Sequence, residues 1–258
     1  MITTVQTICD WVDAFAPFKT AEEYDNVGLI TGRGDTPVTR ILTALDCTLP
    51  VVMEAERLGA QVILTHHPLL FHARKNVTEE DAEGKILCAL IRGHMALVAA
   101  HTNLDRAAGG TGDVLARLFS LKDSRGDGFL RLGELPAPLT AKALRNTAAE
   151  LLCAPVRLYG DPAILVSRLA VAAGAYDEGF AEAFALGAQA LLTGEVRHHN
   201  AVTAVAQGMV LLEGGHYATE APGLRALGEC LQKDLNRLQC SVEVYHFPGV
   251  PYQGALDR

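Results

Sequence analysis

The sequence predicts an α/β fold: two α/β domains of similar topology with largely parallel sheets. Short apolar segments of strand length alternate with segments of helical spacing along the 258 residues, an order typical of parallel α/β folds. An eight-residue stretch of the first half recurs in the second half. Histidine and carboxylate residues follow several predicted strands, where parallel sheets gather their functional groups.

The first half begins with a predicted helix and continues as alternating strands and helices. Apolar residues recur at helical spacing over residues 4–16, and Pro17 ends that run. A second helix is expected to end at Gly59, because glycine adopts the left-handed conformation that often terminates helices. The predicted elements that follow the first helix are strand 40–46, helix 49–58, strand 61–65, helix 82–92 and strand 95–100. Those predicted in the second half include helix 141–153, helix 222–237 and strand 241–247.

An internal repeat links the two halves. Residues 58–65 (LGAQVILT) match residues 186–193 (LGAQALLT) at six of eight positions, at an offset of 128. At the same offset, the predicted strand 40–46 aligns with residues 168–174 (RLAVAAG). The repeat predicts two halves of common topology, and the alternative is a chance match in a chain rich in alanine and leucine. Each copy then runs on to a histidine pair, His66-His67 or His198-His199.

The boundary between the halves is predicted in a polar stretch. Residues 122–140 are rich in glycine, proline and charge, which is typical of a linker. We therefore expect a first α/β domain over residues 1–124 and a second over residues 125–258. The C-terminal helix and strand of the second domain are expected to return towards the first.

Composition excludes several classes of protein. The net charge of −8 argues against a general nucleic-acid binder, which normally carries a basic face. No apolar run reaches the length of a membrane span, and no signal peptide is evident at the N-terminus. The six cysteines form no C-x-x-C pair and mostly lie in apolar runs, as in a reducing compartment. We therefore expect a cytoplasmic protein that acts on neither membranes nor nucleic acids.

Three clusters of histidine and carboxylate residues predict a metal site at the carboxyl ends of strands, between the two domains. Imidazole and carboxylate are the ligands that zinc, iron and manganese share. The set exceeds what one tetrahedral ion needs, so we expect two divalent metal ions per chain, an arrangement that commonly activates water for hydrolysis. The clusters are His66-His67, His101 with Asp105, and His216 with Glu220.

Each cluster also has a simpler interpretation. His101 and His216 could form local hydrogen bonds, while Asp105 and Glu220 act as charges at helix N-termini. His101 is expected to be a further ligand or to orient the ligands. Glu195, His198 and His199 are candidates for the general acid or base, and the alternative is that they form a solvated helix start.

Five segments in order make the chain resemble the YbgI-like, or Nif-three-like, dinuclear metal-binding family. They are YDNVGLITG, LTHHPLLF, HTNLDRAAGG, LTGEVRHH and GGHYATE. The resemblance implies two interlinked α/β domains in a hexameric ring, a trimer of dimers, with metal sites facing its interior. Tyr24 stands where many members have tryptophan. The residues that match the family's metal-ligand positions are His66, His67, Asp105, His216 and Glu220.

These observations predict a dinuclear metal-dependent hydrolase. Family members carry the name GTP cyclohydrolase 1 type 2 homologue, which implies a small-molecule substrate such as the purine ring of a nucleotide. The alternative is a metal-binding or protein-interaction ring protein without enzymatic activity. A dedicated metal carrier would more often use cysteine or methionine ligands, and none occurs in these clusters.

Overall fold

A computed structural model describes residues 2–126 and 128–250. The chain divides into two compact units, one formed by Met1–Ala107 with Leu224–Arg258 and the other by Ala108–Gly223. The first unit thus ends earlier than the predicted boundary at 124/125, and the final segment of the chain belongs to the first unit.

The regular elements follow the predicted alternation. From the start of the chain to Arg106 they are α1 (Val5–Phe15), β1 (Gly28–Thr31), β2 (Arg40–Ala44), α2 (Leu49–Leu58), β3 (Val62–Thr65), α3 (Ala82–Arg92), β4 (Ala96–Ala99) and α4 (Thr102–Arg106). From Thr111 onwards they are α5 (Thr111–Leu118), β5 (Lys122–Arg125), β6 (Arg131–Thr140), α6 (Ala141–Leu152), β7 (Arg157–Tyr159), β8 (Leu165–Val171), α7 (Phe180–Ala185), β9 (Ala190–Thr193), α8 (His198–Ala206), β10 (Val210–Glu213), α9 (His216–Arg237) and β11 (Glu243–His246).

The described part of the first unit forms a five-stranded sheet in the order β1-β4-β3-β2-β11. Strands β4, β3, β2 and β11 are parallel, and β1 adds an antiparallel edge beside β4. All four residues of β3 and of β4 are buried, as expected of strands covered on both faces. Strand β11 brings the C-terminal segment into this sheet beside β2.

The described part of the second unit forms a six-stranded sheet in the order β5-β6-β8-β9-β10-β7. Its centre, β8, β9 and β10, is parallel, whereas β5, β6 and β7 join through antiparallel pairings. The predicted α/β class is confirmed. The second sheet is mixed, because β6 and β7 run antiparallel to the central strands β8 and β10 that they pair with.

The repeat is visible in the hydrogen bonds as well as in the strand order. Strands β2, β3 and β4 pair in parallel as β8, β9 and β10 do. The side chain of Gln61 accepts hydrogen bonds from the backbone N–H groups of residues 39 and 40. Gln189 makes the same two bonds with residues 167 and 168. The two copies of the repeat therefore share a glutamine side chain that accepts two backbone hydrogen bonds from the neighbouring strand.

The predicted linker over residues 122–140 is wrong, because β5 and β6 form an antiparallel pair there. Two prolines lie in β6, at a point where its pairing with β8 loses register between Glu134 and Leu139. Proline cannot donate to a strand ladder, so it is tolerated at such irregularities. Glycine at positions 126 and 128 adopts positive φ in the connecting turn.

The last helix begins at His216, earlier than the predicted start near residue 222. Pro222, at the predicted start, lies inside the helix. Gly215 adopts φ +87°, and its backbone turns the chain into the helix. This earlier start places both His216 and Glu220 in the first turns of α9.

Two further features of the structure concern the cysteines and the helices. All six cysteines are free thiols. Among the described residues, no helix combines the length and the apolar character that crossing a membrane requires.

Candidate metal centre

His66 and His67 lie directly after β3, where the backbone turns away from the strand. The hydroxyl of Thr65 donates to the carbonyl of His67 at 2.9 Å, and the His67 N–H donates to the carbonyl of Leu45 at 3.0 Å. Adjacent residues on a regular strand point to opposite faces, but this turn brings the two imidazole centroids to 5.1 Å. Both histidines can therefore serve one centre.

His66 is fully buried, and a single hydrogen bond defines its protonation. Its Nδ1 lies 2.8 Å from the carbonyl oxygen of Ala100. Because a carbonyl oxygen only accepts hydrogen bonds, Nδ1 carries the proton. The neutral ring then has its lone pair on Nε2, the nitrogen through which histidine commonly binds a metal.

His67 and His101 are oriented in the same way by carboxylates. Nδ1 of His67 lies 2.7 Å from Oδ1 of Asp46, and Nδ1 of His101 lies 3.0 Å from Oδ1 of Asp25. Metal-binding histidines usually donate their second N–H to such an oxygen, which fixes the ring and makes the ligand more basic.

Asp25 is held as a charged acceptor by four hydrogen bonds. The backbone N–H groups of Asn26 and Thr102 donate to it at 2.8 Å and 3.1 Å, and the Thr102 hydroxyl and His101 donate as well. Burial raises the pKa of Asp25, but these hydrogen bonds outweigh burial and hold the pKa below its usual range. The carboxylate therefore remains ionised and keeps the proton on Nδ1 of His101.

The three rings form a compact group, the three-histidine cluster: His66, His67 and His101. Their centroids are separated by 5.1 Å, 5.1 Å and 5.4 Å, and their ligand atoms lie within 4.8 Å of one another. Asp105 in α4 adds a carboxylate, with Oδ1 at 3.6 Å from Nε2 of His66. The cluster can hold a metal ion, and three imidazoles with one carboxylate suit zinc, iron or manganese.

The second unit contributes a histidine–carboxylate pair on one face of α9. Nε2 of His216 lies 3.1 Å from Oε1 of Glu220, four residues further along the helix. Nδ1 of His216 lies 2.7 Å from Oε1 of Glu195. Glu220 is buried, at 3% exposure. The pair repeats the pattern of the first unit, with an oxygen at Nδ1 and a prospective metal ligand beside Nε2.

Two glycines make room for this pair. Gly174 adopts φ +64°, and a Cβ atom there would lie 2.2 Å from Oε1 of Glu220. At Gly194, a Cβ atom would lie 2.8 Å from Cα of His216 and 2.6 Å from the carbonyl of Gly174. The backbone therefore approaches both prospective ligands more closely than any side chain would allow.

The second histidine pair does not occupy the position that the repeat suggested. Strand β3 is followed directly by His66-His67, whereas β9 is followed by Gly194 and Glu195. His198 and His199 instead begin α8 and are exposed. Among the described residues, neither belongs to a group of side chains that could hold a metal ion.

The start of α8 is held by a buried carboxylate. Asp177 accepts hydrogen bonds from the backbone N–H of Arg197 at 2.7 Å and from the amide of Asn200 at 2.8 Å. Burial raises the pKa of Asp177, but the Arg197 guanidinium and these donors outweigh burial and lower it. Asp177 therefore stabilises the helix N-terminus that presents His198 and His199.

Sequence reasoning identified the histidines but missed the residues that orient them. Asp46 comes two residues after the end of β2, and Asp25 lies in the YDNVGLITG segment, so each had a positional signal. Glu195 was predicted as an acid or base, and the structure places its carboxylate on Nδ1 of His216.

Comparison with known proteins supports the resemblance that the motifs suggested. The family model of Duf34/NIF3 (NGG1p interacting factor 3) matches residues 3–250. A Clostridium perfringens protein named GTP cyclohydrolase 1 type 2 homolog is 32% identical over 240 residues, covering 89% of this chain and 91% of that protein. A Streptomyces coelicolor protein of the same name is 38% identical over 226 residues, covering 82% of this chain and 79% of that protein.

A solved structure shares the whole fold. The crystal structure of the Staphylococcus aureus hypothetical protein SA1388 superposes with a TM-score of 0.93 and 26% sequence identity. The match covers 98% of this chain and 100% of that one. The architecture of both units is therefore that of an established fold.

Proposed function

Because this chain belongs to the Duf34/NIF3 family, we propose that it is a dinuclear metal-dependent hydrolase. One observation carries the proposal: four histidines each place Nδ1 against an oxygen acceptor, at 2.7–3.0 Å. This arrangement assigns the lone pair to Nε2 in every ring, the nitrogen through which histidine commonly binds a metal while its Nδ1–H is held by an oxygen. Histidines that only fill space in a core have no need of a common tautomer.

The proposed ligands are assigned within each unit. For two divalent ions per chain, of zinc, iron or manganese, we assign His66, His67 and Asp105 of the first unit, with His101 as a further ligand, and His216 and Glu220 of the second unit. When bound, two such ions would supply Lewis-acid activation of water near neutral pH. Five or six protein ligands shared by two ions leave coordination positions for a substrate.

The remaining roles belong to groups that hold or move protons. Asp25, Asp46 and the Ala100 carbonyl keep the proton on Nδ1 of their histidines. Glu195 does the same for His216, and its carboxylate is 59% exposed, so it can also exchange a proton with solvent or substrate. We retain Glu195, His198 and His199 as the proposed general acid or base.

The substrate class is inferred from the relatives. Their name, GTP cyclohydrolase 1 type 2 homolog, favours a purine nucleotide whose ring is opened by water. We propose that the protein acts in the cytoplasm, where its six free cysteines would stay reduced. We also propose a homohexamer, a trimer of dimers, on the strength of the family resemblance, and light scattering of the native protein would test that assembly.

Metal analysis and a matched pair of variants test the function. Protein purified without chelator is expected to bind two transition-metal ions per chain, and the metal-loaded form to hydrolyse a member of a panel that includes GTP. Glu220→Gln should lose metal and activity. Glu229→Gln is the control, because Glu229 lies on the same helix and is exposed beside Arg225.

The outcomes separate the hydrolase from its alternative. A stoichiometry of one ion or fewer at saturating metal would refute the dinuclear centre. Two ions with no activity across a broad panel would favour the metal-binding or interaction protein. Equal activity of wild type and Glu220→Gln would place the activity at another site or in a contaminant.

A further inference from the structure

A cavity of about 480 Å³ adjoins the three-histidine cluster on the first unit. We call it the Phe71 cavity. Asp25, which orients His101, forms part of its wall together with Phe71 and Leu87. Its volume lies within the range of small-molecule sites, about 300–1,000 Å³. A ligand in this cavity would therefore lie beside the proposed metal ligands.

Two exposed aromatic rings stand at this position. Phe71 is 41% exposed and Tyr24 is 63% exposed, and their centroids lie 6.0 Å apart. Phe71 also lies 6.3 Å from the ring of His101. Aromatic faces left in water beside a polar site favour a ligand with a planar ring, because stacking removes both surfaces from solvent.

The charges of the cavity are already matched by other side chains. Arg74 in the wall pairs with Asp81 at 2.7 Å and with Glu83. The Asp25 carboxylate is bound by His101 and Thr102. The cavity is therefore poorly suited to an anionic group such as a phosphate, which would need an available cation.

Polar groups remain that can recognise ring heteroatoms. Within the described part of the chain, the Asn26 side chain makes one hydrogen bond, from Nδ2 to the carbonyl of Leu70 at 2.7 Å. A carboxamide offers two N–H donors and an acceptor oxygen, so further bonds are open to a ligand. His72, also in the wall, adds a second ring with polar nitrogen atoms.

We propose that the Phe71 cavity binds the neutral, planar nitrogen heterocycle of the substrate, with Phe71 stacked on the ring and Asn26 at its polar edge. The proposal rests on the proposed function for the identity of the adjoining reaction site. Any phosphate of the substrate lies outside this cavity.

Binding measurements with two probes test the proposal on the full-length, metal-loaded protein. Guanosine supplies a neutral heterocycle, and ribose 5-phosphate supplies a sugar phosphate without one. Calorimetry and saturation-transfer NMR should show guanosine binding through its ring, with ribose 5-phosphate binding more weakly. Phe71→Ala should weaken guanosine binding by about 5- to 150-fold, the range expected for loss of one base–aromatic stack.

Two further variants distinguish stacking from general damage. Phe71→Tyr keeps the aromatic face and should bind guanosine nearly as wild type does. Phe184→Ala removes an aromatic ring of similar exposure, 46%, from α7 in the second unit, and it should leave binding unchanged. Metal content should be the same in all three variants.

Several results would overturn the assignment. The first two are a wild-type protein that does not bind guanosine, and equal guanosine affinity of wild type and Phe71→Ala. The other two are tighter binding of ribose 5-phosphate than of guanosine, and loss of metal from Phe71→Ala. Guanosine binding that depends on Phe71, in a protein that hydrolyses no substrate, would support the cavity while refuting the hydrolase.

Discussion

Replacing Gly174 by alanine is a sharp test of the histidine–carboxylate pair in the second unit. The new methyl group would lie 2.2 Å from Oε1 of Glu220, against the roughly 3.5 Å of a comfortable contact. The backbone around Gly174 is packed, since Thr219 accepts its N–H and Gly194 donates to its carbonyl. The Glu220 carboxylate is therefore the group that must move, by about 1 Å.

A shift of that size is large for a metal ligand. Functional side chains must be held to within about 0.5 Å of their working positions, and Nε2 of His216 lies 3.1 Å from this carboxylate. Loss of a partner that merely orients a ligand costs about 10- to 100-fold in metal affinity. Displacement of Glu220 itself should cost at least about tenfold.

The matched control is Gly208→Ala. Gly208 also adopts positive φ, at +80°, but a Cβ atom there would meet nothing within 4 Å. Both variants should therefore lose about 1–2 kcal/mol of stability from left-handed backbone strain, which lowers Tm by about 2–8 °C in a chain of this size.

Chelator competition measures the metal affinity, and a thermal melt measures the strain. The expected result is that Gly174→Ala is destabilised at least as much as Gly208→Ala, with weakened metal binding in Gly174→Ala alone. If Gly174→Ala binds metal as tightly as Gly208→Ala does, Glu220 is not a ligand held against this glycine.

Two further predictions concern carboxylates with defined partners. Asp25→Asn should lower metal affinity by about 10- to 100-fold, because it removes the charge that orients His101. Chelator competition measures this affinity, and the control is Asp35→Asn, which alters an exposed surface ion pair. Equal affinity of the two variants would contradict the orienting role. Asp177→Asn should cost about 1–3 kcal/mol at pH 7, because its partners Arg197 and Asn200 lose a charged acceptor. Since the folded-state pKa of Asp177 is lowered, its contribution is present above about pH 4 and is lost as pH falls through that folded-state pKa. Urea unfolding should therefore show a stability difference that shrinks in acid, and a difference independent of pH would refute the mechanism.

Local patterns were enough to locate most of the regular elements. Helix α2 ends at Leu58, and Gly59 takes φ +64° as its cap, because a glycine at that position relieves the strain of leaving the helix. Strands β3 and β4 were evident as short, largely apolar runs. Local patterns failed at prolines: those of β6 lie at a break in register, and Pro222, where the helix start was predicted, lies inside α9.

What the sequence alone determined was the placement of the candidate metal ligands after strands. Apolar runs of four or five residues define where strands end, and His66, His67 and His101 come within two residues of those ends. The position of a strand end is local information, because it depends on residues that are neighbours in the sequence. Family membership followed from the same segments in order and was confirmed over residues 3–250.

Only the tertiary structure decided which oxygen meets each imidazole nitrogen. Asp25 lies 76 positions from His101 in the chain, and Asp46 lies 21 positions from His67. The clearance that Gly174 provides for Glu220 is likewise a contact between distant segments. Periodicity and spacing describe one segment at a time, whereas ring tautomers and close backbone approaches depend on pairs of segments that meet only when the sheets have formed.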